Sequence, residues 1–176
     1  MQRLPTDMIG FAADEMTRSG VKLHIRAAGP ADADRLADLF AHVSAADLRF
    51  RFLETVRQVG PETLAPMLRA DDEMVTFLAF ADKTLVACCT LARNPDGKTA
   101  EVALSIRSAC KGKGISWTLL DHVLRRAVAA GIRIVTSLES GEDRDAIELE
   151  REMGFVARLT SAAPVELSLS KVLDAA

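Results

Sequence analysis

Apolar and polar residues recur along this chain with two alternating periods. From Lys22 to Ala27 they alternate, with Leu23 and Ile25 set against Lys22, His24 and Arg26, which predicts a first strand. After Pro30-Ala31-Asp32, residues Leu36, Leu39, Phe40 and Val43 fall at helical spacing, which predicts a helix to about Val43. Ser44 is placed to cap a second short helix reaching about Phe52, and Pro61 opens a third that ends near Arg69. Two apolar runs, Thr76 to Phe80 and Leu85 to Leu91, flank Asp82-Lys83 and predict a hairpin with a tight turn. Asn94-Pro95-Asp96-Gly97 reads as a turn, and Ala100 to Ile106 as the strand after it. The helical run Trp117 to Ala130 stops at Gly131. Ile132 to Leu138 then reads as a strand, Arg144 to Met153 as a helix, and Phe155 to Leu159 and Val165 to Leu169 as strands.

Strands that first form hairpins and later alternate with helices predict an α/β (α+β) fold. The expected sheet is mixed, mostly antiparallel and six- to seven-stranded, with helices on both faces. Met1 to Gly20 shows no clear period and reads as an N-terminal extension of a domain spanning 21–176. Such an extension is free to dock on its own domain or on a second subunit, which leaves a homodimer open.

Composition narrows the function. A chain of 176 residues that is 49% hydrophobic can bury one ample core. A net charge of −3 and a pI of about 5.7 lack the basic excess of nucleic-acid or membrane-surface proteins. No apolar run approaches the ~20 residues of a membrane span, and Met8 to Ala13 is too short for a secretory signal. Cys88, Cys89 and Cys110 are odd in number and lack disulfide or zinc spacing, so a cytoplasmic protein with reduced thiols is expected. His24, His42 and His122 share no ligand spacing, so no metal is expected.

The stretch that carries chemistry is Lys111-Gly112-Lys113-Gly114-Ile115-Ser116, between a strand and a helix start. A glycine-rich turn that opens a helix gathers unpaired backbone N–H groups, and the helix dipole adds to their attraction for phosphate. The turn lacks both the Walker pattern and the dinucleotide fingerprint.

This turn resembles the acetyl-CoA loop of the GNAT superfamily of N-acetyltransferases, Arg/Gln-x-x-Gly-x-Gly/Ala, with Lys111 in the first place and Ser116 in the last. The order of elements from Leu23 to Leu169 is similar to a GNAT domain. Leu23-His24-Ile25-Arg26, Asp32 to Phe40, Val43-Ser44 and Arg49-Phe50-Arg51-Phe52 resemble the acetyltransferase domain of bacterial protein-lysine acetyltransferases. Glu152-Met153-Gly154-Phe155 resembles the superfamily's closing Leu-Gly-Phe signature.

The resemblance implies an acetyl group moved from acetyl-CoA to an amine on a protein lysine or a small molecule, with CoA as product. It implies that Lys111 to Ser116 hold the phosphates and that pantetheine runs beside Leu104, Ser105 and Ile106. It implies Glu101, ten residues before Lys111, as the base. In a half-buried strand its pKa would be raised by desolvation. Asp143 stands where relatives often have an asparagine that contacts CoA. Many members protonate the CoA thiolate with a tyrosine in the last helix, and this chain contains no tyrosine. Ser140, Asp143, Cys110 and water remain open for that role, while Glu148 and Glu152 read as a solvated helix face. Arg49-Phe50-Arg51-Phe52 reads as buried rings alternating with exposed guanidiniums beside the acceptor groove, and Asp71-Asp72-Glu73 as a solvated turn. A GNAT-like CoA-binding or regulatory domain without turnover is the alternative.

Overall fold

A computed structural model describes residues 12–52 and 59–174. Its strands are β1 (Ala12–Met16), β2 (Lys22–Ala27), β3 (Met74–Ala81), β4 (Thr84–Arg93), β5 (Thr99–Ile106), β6 (Ile134–Ser140), β7 (Val156–Ala162) and β8 (Val165–Val172). Its helices are α1 (Ala33–Ala41), α2 (Ala45–Phe52), α3 (Pro61–Leu64), α4 (Ile115–Ala129) and α5 (Arg144–Glu152). One eight-stranded sheet runs in the order β1-β2-β3-β4-β5-β6-β8-β7. Every neighbouring pair is antiparallel except β5 with β6.

Two cores explain why the central strands show no alternation. Val75, Phe77, Leu119, Val123, Val135 and Ile147 pack on one face, under α4 and α5. Leu36, Leu39, Phe40, Leu64, Leu78 and Cys88 pack on the other, under α1 and α3. Strands covered on both faces bury consecutive side chains, as β3 and β4 do. Burial also pushes the Cys88 thiol up to about 12 and the Cys89 thiol higher, so both are inert.

Local chemistry sets the turns. Asp82 and Lys83 have φ of 46° and 69°, the left-handed pair that a two-residue hairpin between right-twisted strands requires. Ser44 Oγ accepts from Asp47 N–H at 3.1 Å and starts α2. After α4, the N–H groups of Gly131 and Ile132 return to Val128 and Ala127 carbonyls at 2.9 and 3.0 Å. That closure uses Ile132 in the helix stop, so β6 begins at Ile134, two residues later than expected.

The eighth strand, β1, departs from the sequence expectation, which put Met1 to Gly20 in an extension without period. β1 pairs antiparallel with β2 from Ala12 to Met16. Its sequence, AADEM, offers no apolar face. Backbone pairing and an ionic anchor hold it instead: Arg125 donates to Glu15 at 2.7 Å, and His122 Nδ1 lies 3.3 Å from the same oxygen. Residues 1–11 of the expected extension lie outside the described residues. No described helix is long and apolar enough to cross a membrane.

Candidate active site

β5 and β6 pair over three residues only, from Thr99–Ile134 to Glu101–Thr136, and then diverge. β4 stays paired with β5 along its other edge as far as Ile106. The edge of β5 facing β6 is therefore open from Val102 onward, as expected for a strand that offers backbone groups to a ligand. The gap between the two strands is the heart of a cavity of about 500 Å³. Leu104, Ser105 and Ile106 line one side of it, and Leu138 and Glu139 the other. Helix α2 packs across both strands and covers one end.

The open end of this fork meets the glycine loop. Gly112 and Gly114 adopt φ of 72° and 73°, which glycine reaches without steric cost. A Cβ on Gly112 would enter open space within the cavity lining, whereas one on Gly114 would come 3.4 Å from Thr17 Cβ. The first helical bond of α4 runs from Thr118 N–H to Gly114 C=O at 3.0 Å. The N–H groups of Ile115, Ser116 and Trp117 precede that bond, so the first turn of α4 presents donors toward the cavity rim. This donor set, with the cradle at Gly112, fits a phosphate-bearing ligand.

Most of the residues expected at the site meet in this one cavity: Glu101, Leu104, Ser105, Ile106, Lys111, Gly112, Gly114, Ile115, Ser116 and Asp143 all line it. Lys113 does not. Its carbonyl accepts from Ser19 Oγ at 2.7 Å, which ties the loop to the β1–β2 turn. Lys111 lines the cavity but is bound to Asp47 of α2, Nζ to Oδ2 at 2.7 Å. Asp143 caps α5, accepting from Ala146 N–H at 3.1 Å, and burial pushes its carboxyl pKa up.

Two expectations are corrected. Glu101 is exposed rather than half-buried, at the last paired position of β5 with β6. The regular alternation expected of Arg49 to Phe52 gives way to helical geometry in α2. Arg49 reaches out to Glu142 at 2.7 Å, and Phe52 packs on Phe40 with ring centroids 5.8 Å apart. Phe50 and Arg51 both line the cavity, and Arg51 Nε is buried without a hydrogen-bond partner among the described residues.

The sequence reading missed Glu139 and Glu150. Ser137 Oγ donates to Glu150 Oε2 at 2.5 Å, and Glu150 is only 6% exposed. Desolvation first, then the neighbouring Glu150 and Asp143 carboxylates, push Glu139 up to about 9. Desolvation also raises Glu150, to about 7, against the Ser137 bond that lowers it. Both carboxyls line the cavity, and the raised value of Glu139 keeps a proton on it at neutral pH. A readable signal existed: Ile147 and Glu150 lie three apart on the buried stripe of α5.

Fold, fork and loop agree with what comparison finds. The model of the acetyltransferase (GNAT) family matches residues 43–155, and the chain belongs to that family. The Bacillus subtilis (strain 168) protein YwnH, named as a phosphinothricin acetyltransferase, is 40% identical over 58 residues. That match spans 33% of this chain and 36% of the relative, so it covers about a third of the relative's length. The GNAT domain of S. lividans PAT superposes with a TM-score of 0.85 at 22% identity, over 92% of this chain and 97% of that one. Spermidine N-acetyltransferase from Vibrio cholerae, in complex with CoA and spermine, superposes with a TM-score of 0.70 at 18% identity, over 85% and 95%. These two likenesses bear on the fold.

Proposed function

We propose that this domain moves an acetyl group from acetyl-CoA to an amine, with a protein lysine side chain as the favoured acceptor. The observation that carries this reading is the fork between β5 and β6, which opens onto a glycine loop at the start of α4 in one cavity. The loop N–H groups and the α4 dipole suit the phosphates of CoA, and the open edge of β5 suits an amide-bearing chain beside Leu104 to Ile106. Acetyl-CoA supplies the activated acyl group.

Glu101 takes the proton of the acceptor ammonium, directly or through a water, from its exposed place at the closed end of the fork. The carboxylates Glu101, Glu148 and Glu152 give the cavity lining a sign that attracts a cationic acceptor. The resemblance of Leu23 to Phe52 to bacterial protein-lysine acetyltransferases supports lysine over a small amine. The free cysteines support a reducing, cytoplasmic setting.

The test is thiol release from acetyl-CoA in the presence of lysine peptides, folded proteins, polyamines and amino acids, with the acetylated product identified by mass spectrometry. Amine-dependent thiol release with an N-acetylated product is expected. CoA binding without an acetylated product from any amine would favour the non-catalytic CoA-binding reading.

A further inference from the structure

Acetyl transfer at this site leaves one proton to assign. The nitrogen–carbon bond forms, the carbon–sulfur bond breaks, and the departing electron pair on sulfur must take a proton to end as a thiol. The chain has no tyrosine to give it. Cys110 does not line the cavity, Lys111 is tied to Asp47, and Asp143 caps α5.

The closed end of the fork does hold a candidate. Thr136 is the last β6 residue paired with β5. Ser137 follows it and fixes the Glu150 carboxyl from α5. Glu139 lies two residues further along β6, on the same face as Ser137, and lines the same cavity as Glu150. Across the gap Ser105 of β5 is 5% exposed, and its Oγ is buried without a partner in the lining of the same cavity. An unpaired hydroxyl at such a place calls for a polar ligand atom. The glycine loop stands at the open end of the fork and this carboxyl pair near its closed end. A donor held at both would have its phosphates at the loop and its acyl end beside the pair.

We propose that Glu139 and Glu150 together form the proton-donating pair of this site, passing a proton to the departing sulfur. The inference rests on the acetyl-transfer reading above. The proton count closes. Glu101 removes the first ammonium proton and releases it to solvent, the pair gives one proton to sulfur, and the second proton lost by nitrogen as the amide forms returns to the pair. Desolvation and repulsion from Glu150 keep Glu139 protonated near neutral pH, and desolvation raises Glu150 as well. Asp143, at the start of α5, adds to that repulsion, and Arg51 of α2 opposes it.

Infrared difference spectra of the full chain between pH 6 and 10 test the pair without any ligand. A protonated-carboxyl band that persists at pH 7.5 in the wild type and is lost in Glu139→Gln is expected. Turnover tests the role. Glu139→Gln should lower kcat by roughly 10²–10³-fold with little change in either Michaelis constant. Glu150→Gln removes a like charge, so the basic limb of the kcat profile should move down by about one pH unit. CoA affinity by calorimetry shows that each variant keeps its fold. Absence of the band in the wild type overturns the proposal even if no variant folds. So do unchanged rates and profiles in folded variants of an active wild type. A wild type that acetylates no amine overturns the acetyl-transfer reading itself, and the donor role with it.

Discussion

Ser137 Oγ donates a 2.5 Å hydrogen bond to Glu150 Oε2, and that bond joins β6 to α5 beside the point where β5 and β6 part. The bond holds a buried carboxyl at the closed end of the fork, where an ordinary strand pair would place an apolar side chain. It also sets Glu150 in the cavity that Glu139 lines, so two acids face one space. Two consequences follow, one for stability and one for chemistry.

The stability consequence has a definite sign. Both carboxyls have folded pKa values above those of the unfolded chain, so the native state holds protons that the unfolded state has released. Their contribution is fully present below the ordinary carboxylate range and is lost as pH rises toward about 9. The wild type should therefore lose thermal stability between pH 6 and 9. Glu139→Gln should reduce that loss, by roughly 5 °C in Tm if about two pKa units are involved. Glu101→Gln, at an exposed position, serves as the control with an unchanged slope. Calorimetric scans across this range decide it, and an equal slope in wild type and Glu139→Gln would count against a proton held by Glu139.

The phosphate cradle can be tested at Gly112 with little ambiguity. A side chain there meets open space, at the strain cost of a left-handed residue, roughly 1–2 kcal/mol. Gly112→Leu should stay folded and lose at least about tenfold in CoA affinity, equal to about 1.4 kcal/mol. Gly97→Leu is a matched control, since φ is 68° there and its surroundings are open too, in the Asn94–Gly97 turn away from the cavity. Gly114 is a poorer probe, because its substitution would also press on Thr17. Titration calorimetry on both variants provides the comparison.

Glu101 carries the assignment of base. Glu101→Gln keeps the shape of the side chain and removes its ability to take a proton, which should cost roughly 10²–10⁴ in kcat/KM near neutral pH. The deficit should narrow at high pH, where the acceptor amine is already free. A pH series of initial rates reads both effects, and a variant with wild-type rates throughout would move the base elsewhere.

What the sequence made legible follows from local chemistry. The Asp82-Lys83 hairpin, the Ser44 cap and the apolar stripe of α1 each depend on residues within a few positions. The glycine loop was legible for the same reason, since Gly112 and Gly114 shape it locally. β1 was not, because Glu15 is held by Arg125, 110 positions away. Lys111 read as part of the phosphate-holding loop, yet its side chain is tied to Asp47, 64 positions earlier. Glu139 and Glu150 escaped notice because a glutamate usually marks a solvated face. Only the sheet topology, which parts β5 from β6, makes their position a buried one.

The most direct measurement for the account is an amide chemical-shift map of this 19.0 kDa chain titrated with CoA. The site described above predicts the largest changes at Leu104 to Ile106, at Gly112 to Ser116, and at Leu138 to Ser140 across the gap. No saturable change at these amides, or a cluster of changes elsewhere such as around Glu15 and His122, would contradict it.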